Sequence, residues 1–117
     1  MATFLVCGGR HFTDGAMLNE WLNFYHAEIG ITFLVHGDAR GADRLAGAWA
    51  RNHGIPVKAF PAEWIAHGWS AGPRRNQQML DSVRVDYVVA FPGSAGTADM
   101  VRRAEAYDIP VLPVDEP

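Results

Sequence analysis

The chain carries one cysteine, Cys7, among its 117 residues. A lone thiol excludes an intramolecular disulfide and a thiolate metal cluster, and it fits a reducing compartment. Long hydrophobic runs are missing too. No stretch approaches the roughly 18 apolar residues of a membrane span, and the N-terminus enters a strand directly instead of a basic segment followed by an apolar core. The expected setting is cytoplasmic, with no membrane partner. Positive charge is not in excess either: the formal net charge is −3, which argues against affinity built on neutralising a nucleic-acid backbone. No histidine has metal-ligand spacing and no catalytic triad is recognisable, so neither a metal nor a resident cofactor is expected. Cys7 reads as a small core residue.

What remains is an ordinary globular composition. With 49% hydrophobic and 20% charged residues, a chain of this length buries roughly two thirds of its unfolded surface without metal or disulfide staples. One domain over 1–117 is the expectation.

Three times a short apolar strand runs into a glycine-containing turn and then a helix. The first turn holds Gly8, Gly9 and Arg10, and the second Gly37, Asp38, Gly41 and Asp43 after His36. The third holds Pro92, Gly93, Ser94, Gly96 and Thr97. A turn without Cβ atoms lets amides approach a phosphate, and the following helix points its unpaired amides and the positive end of its dipole at the same anion. Three such turns on parallel strands converge at one sheet edge.

Hydrophobic periodicity predicts strands over 3–7, 32–36, 57–60, 87–91 and 109–114. Helices are expected from an Asp14 cap to a stop at Gly30, from Gly41 to Gly54, over about 73–83, and over about 97–107. Residues 61–73 fit no regular pattern and read as a long functional or mobile loop. The fold class is α/β: a single-domain, three-layer Rossmann-like fold with a mostly parallel five-stranded sheet and helices on both faces. Ligands bind such sheets beyond the carboxyl ends of the strands, where the glycine turns lie.

Individual residues carry competing readings. The third turn either cradles a phosphate, with Thr97 offering a hydroxyl, or is a structural turn capped by that threonine. Arg74 and Arg75 at a helix start are electrostatically misplaced unless an anion sits there. Arg75 and Asn76 can fork onto a phosphate or ribose, or Arg75 can pair with Asp81 or Asp86. Asp38 and Asp43 either accept ribose hydroxyls or cap a helix. His36 reads as a pocket-wall group. On the loop, Trp64 and Trp69 either stack on a base or pin the loop.

These residues together resemble the SLOG superfamily, and closely the small bacterial and phage proteins of its YspA or cpYpsA-related family. The resemblance rests on Cys7 to Arg10 with Asp14, on His36 to Asp43, on 61–64 with 71–76, and on the stretch from Phe91 to Asp99. It implies a Rossmann-like binder of a nucleotide or nucleotide-sugar, of ADP-ribose, NAD-derived or cyclic type, acting as sensor or sequestering protein. It also implies a homodimer or higher homo-oligomer.

Superfamily relatives include phosphoribohydrolases that split nucleoside monophosphates, marked by an arginine-lysine pair and a Pro-Gly-Gly-X-Gly-Thr-X-X-Glu turn. Here Asn76 follows Arg75 in place of lysine, Ser94 replaces a glycine, and Met100 stands at the catalytic glutamate. Methionine cannot move a proton, which favours binding over hydrolysis. A hydrolase using Arg75 with Asp99 or Glu63 is the second reading. Nucleic-acid handling, as in the DNA-processing members, is the third.

Overall fold

The computed structural model describes residues 2–114. Its order is β1 (Ala2–Cys7), α1 (Gly15–Glu28), β2 (Ile31–His36), α2 (Ala42–Asn52), β3 (Val57–Ala59), α3 (Trp64–His67), a 3-10 turn (Gly68–Ser70), α4 (Ala71–Ser82), β4 (Tyr87–Ala90), α5 (Ala95–Ala106) and β5 (Val111–Leu112). The five strands form one sheet in the order β3-β2-β1-β4-β5. Every pairing is parallel, so the expected Rossmann-like α/β class holds and the sheet is wholly, not mostly, parallel.

Alternation along β1 explains the layers. Phe4 and Val6 point to one face, where they pack with Leu18 and Leu22 of α1 and Ala46 and Trp49 of α2. Leu5 and Cys7 point to the other, against Met79 and Leu80 of α4 and Met100 and Ala104 of α5. Because both faces are covered, β1 reads as a continuous apolar run. Its central residues pair on both edges, Leu5 with Val35 and with Val88.

The α1 boundaries follow local chemistry. Asp14 accepts a hydrogen bond from the Met17 amide at 3.0 Å, and Gly30 ends the turn at φ 90°, a left-handed value that costs glycine little.

The segment expected as an irregular loop is largely helical, which corrects that reading. Residues 64–70 form α3 and the 3-10 turn, and α4 begins at Ala71 instead of Pro73. Pro73 is therefore the third helical residue, where an amide still has no intrahelical partner to lose. Similarly, α5 begins at Ala95, two residues before Thr97. The closing strand covers only Val111–Leu112 of the expected 109–114.

Candidate functional site

The strand order reverses between β1 and β4, and a crevice opens beyond their carboxyl ends. Three turns are stitched together there at Gly9. Its amide donates to the Pro92 carbonyl at 2.8 Å, and its carbonyl accepts from the Ala42 amide at 3.3 Å. Space is tight. A methyl group on Gly93 would lie 2.8 Å from the Gly9 nitrogen and collide with the Thr97 side chain. Gly41, at φ +84°, packs against the backbone of Gly9 and Arg10. Glycine is thus required for turn-on-turn packing, and the N-termini of α2 and α5 are brought to one cleft.

The cleft measures about 920 Å³, in the range of a small-molecule pocket. Of the expected site residues, it gathers Gly8, Gly9 and Arg10 from the first turn, and Gly37, Asp38 and Asp43 from the second. Ser94, Gly96 and Thr97 come from the third, and Trp64, Arg75, Asn76 and Asp99 complete the wall. His36, Gly41, Glu63, Pro92 and Gly93 are not on its wall. His36 is buried and turns inward, its Nδ1 accepting from the Asp38 amide at 2.9 Å; burial holds its imidazolium below the usual pKa. Gly41, Pro92 and Gly93 shape the turns from behind. Glu63 points to solvent and approaches His67 at 3.7 Å.

Arg75 lies a full turn inside α4, so the expected clash with that helix's dipole is relieved. Its guanidinium crosses to the Gly37 carbonyl and contacts the Phe60 carbonyl at 3.5 Å, while Nε donates to Asn76 Oδ1 at 3.0 Å. It pairs with neither Asp81 nor Asp86. All three partners are neutral oxygens, and among the described residues no carboxylate lies within salt-bridge distance of it. Burial lowers its pKa, opposed chiefly by the charge of Asp43.

Asp43 is buried at the cleft floor, and its Oδ2 accepts from the Ala39 amide at 3.2 Å. Burial pushes its pKa up to about 6, against the pull of that hydrogen bond and of Arg75. Burial and the Asp43 charge push the neighbouring Cys7 thiol up to about 12. The thiol is protonated at neutral pH, and Cys7, which reaches the cleft from below, packs with Leu5, Val35 and Met79. Asp38 takes a positive φ of 58° and pairs with Arg44 at 3.5 Å.

The buried Asn76 bridges α4 to α5, donating to the Gly96 carbonyl at 3.2 Å and to Asp99 Oδ2 at 3.0 Å. Arg103 and Arg102 hold Asp99 from the other side at 2.8 and 3.0 Å. Burial pushes this carboxyl up, but the hydrogen bonds from Arg103 and Asn76 outweigh it and keep the pKa below the usual range. Met100, one residue on, is wholly buried in the core beneath the sheet.

Sequence reasoning missed Arg40, Arg44 and Arg102, which join Arg10 and Arg75 around the cleft. Five of the ten basic residues thus face one cavity in a chain of net charge −3. Arg44 and Arg102 have carboxylate partners, whereas Arg10, Arg40 and Arg75 have none among the described residues. Arg40 and Arg44 each stand three residues after a glycine of the second turn, Gly37 and Gly41, which was the available signal; Arg102, six residues after Gly96, carried none. No group of three or more His, Cys, Asp or Glu residues suited to a metal occurs among the described residues.

A doubly wound parallel sheet with glycine turns and guanidinium groups at its switch point defines a Rossmann-like protein whose cleft suits an anion. The chain belongs to the YspA, cpYpsA-related SLOG family, which residues 3–67 match. It is similar to the Gene 61 protein of Mycobacterium phage D29, at 35% identity over 121 aligned residues that cover 96% of this chain and 95% of the relative. Among the described residues, no helix is long and apolar enough to cross a membrane.

Proposed function

We propose that the cleft binds a small nucleotide-derived ligand, such as ADP-ribose, an NAD-like molecule or a cyclic nucleotide, and that the protein acts as a sensor or sequestering agent. The observation that carries this reading is Arg75, a half-buried cation whose hydrogen-bond partners are all neutral, set against the Gly37 turn in a cleft that the first and third glycine turns also line. A phosphate supplies the directly paired anion that no carboxylate among the described residues gives Arg75, Asp43 acting on it only at longer range. The first amides of α5 and Nη2 of Arg75, the guanidinium nitrogen without a partner among the described residues, are the donors open to it, and Asp38 or Asp43 accepts ribose hydroxyls. We further infer a homo-oligomer in the cytoplasm; sedimentation of the pure protein tests the oligomeric state.

A melting screen with AMP, ADP-ribose, NAD and cyclic nucleotides tests the ligand. At one hundred times its dissociation constant a ligand adds about 2.7 kcal/mol of stability, raising Tm by on the order of 10 °C. No shift with any of them defeats the reading.

One observation supports N-glycosidic hydrolysis as the second reading: Asp99 lies on the cleft wall, ionised and rigidly held. A fixed carboxylate can stabilise an oxocarbenium-like centre. The same three donors make it a poor proton donor, and Glu63 is not placed to assist it.

A further inference from the structure

Two tryptophans on the cleft wall are poorly used by the fold: Trp69 is bare, and Trp64, half exposed, lies with its ring edge over Gly72 of α4. Trp69 is 98% exposed and Trp64 50%, and both line the cavity. Neither α3 nor the 3-10 turn that carries them buries a single residue. Neither indole makes a hydrogen bond or ring contact among the described residues. The other two tryptophans are engaged: Trp49 stacks on His53 at 4.3 Å and donates to Asn23, and Trp21 stacks on Tyr25 at 5.8 Å. The expectation that Trp64 and Trp69 pin a loop is thus not met by Trp69, which touches nothing that needs pinning.

An indole held in water forfeits the burial that normally stabilises it, and exposed aromatic surface beside a cavity marks a place that something covers. The covering group must be flat and apolar on its faces. It must also be small enough for a cleft whose opposite side is already given to the phosphate. Ile65 is exposed on the same helix but does not line the cavity, so of the exposed large hydrophobic side chains among the described residues only the two indoles face the cleft.

We infer that Trp64 and Trp69 form a stacking platform for a heteroaromatic base, making the ligand class a base-bearing nucleotide rather than a plain sugar phosphate. This rests on the reading of the cleft as a phosphate site. The ligand lies across the cleft, its phosphate at the glycine turns and Arg75 and its base on the indoles. Both contacts are sequence-tolerant in the sense that any purine or pyrimidine has a π-face; recognition of one base needs edge contacts in addition.

Titration calorimetry and tryptophan fluorescence with AMP, ADP-ribose and ribose 5-phosphate test it on the full chain. In the wild type, AMP binds more tightly than ribose 5-phosphate and quenches the emission of Trp64 and Trp69, while Trp21 and Trp49, which do not line the cleft, keep theirs. Trp69→Ala and Trp64→Ala each weaken AMP by about 5- to 150-fold and leave ribose 5-phosphate binding unchanged, while Trp69→Phe keeps most of the AMP affinity. The exposed position of Trp69 lets its variants fold normally. If AMP binds both alanine variants as it binds the wild type, or binds the wild type no better than ribose 5-phosphate, the platform is refuted and the phosphate site stands. Failure of all three compounds to bind the wild type removes both.

Discussion

Arg75 of α4 donates to the carbonyl of Gly37, 38 residues earlier, and Gly37 has no room for a side chain because that guanidinium fills it. A methyl group at position 37 would lie 2.9 Å from Nε and closer still to the rest of the group. The obstructed atoms belong to the free end of a flexible side chain, so the fold can yield there while the arginine moves. Gly37→Ala is therefore expected to mimic Arg75→Ala: nucleotide affinity falls by roughly 10- to 150-fold, the range of a charged hydrogen bond, with Tm little changed. Arg75→Lys keeps the charge but not the fork, and is expected to recover only part of the loss. Full affinity in Gly37→Ala, by calorimetry, would show that Arg75 does not place the anion.

Gly96 and Gly93 separate access from packing. A Cβ on Gly96 meets nothing within 4 Å and projects from the exposed first turn of α5 on the cleft wall, whereas one on Gly93 meets the Gly9 amide and Thr97. Gly96→Val is expected to keep the circular dichroism spectrum and melting curve while abolishing nucleotide binding. Gly93→Ala is expected to lower Tm by several degrees through loss of the Gly9 to Pro92 contact. Equal melting losses in the two variants would contradict this division.

Much of this arrangement is legible in the sequence because both faces of the sheet are covered. Strands such as β1 then appear as plain apolar runs, and the glycine turns must share one edge once the strands are parallel. Residues 64–70 were not legible for the opposite reason: with no buried side chain, α3 and the 3-10 turn show no apolar period. The inward turn of His36 was hidden because its partner is a backbone amide. The links from Arg75 to Gly37 and from Asn76 to Asp99 join residues 38 and 23 apart, a tertiary relation that no local pattern encodes.

Asp43 gives the protein a distinctive response to pH. Its folded pKa, raised to about 6 from an ordinary 3.8, means that the native state holds the proton more tightly than the unfolded chain. Its contribution to stability is full below about pH 4 and is lost as pH rises through 6. Asp43→Asn removes this loss while retaining an acceptor for the Ala39 amide. The variant is expected to exceed the wild type in Tm at pH 7.5 by more than at pH 4.5, with a carboxyl resonance titrating near pH 6 present only in the wild type. A pH-independent difference in Tm would show that the buried carboxylate carries no such penalty.

Binding and cleavage are told apart at Met100 and its neighbour Asp99. It occupies the helix position of the glutamate that the resembling hydrolases use, yet here it is wholly buried among Leu5, Met79 and Val88, while Asp99 alone of that pair reaches the cleft. Acid-base assistance is typically worth 10²–10⁴-fold, and Asp99, held ionised by Arg103 and Asn76, has no proton to give. Overnight incubation of the wild type with AMP is therefore expected to release no adenine by chromatography. Met100→Glu is expected to unfold the protein instead of creating a hydrolase, because an unpaired carboxylate at that site costs several kcal/mol. Adenine release that scales with protein concentration and vanishes in both Arg75→Ala and Asp99→Asn would reverse the assignment, making Asp99 the group that stabilises the departing sugar's charge.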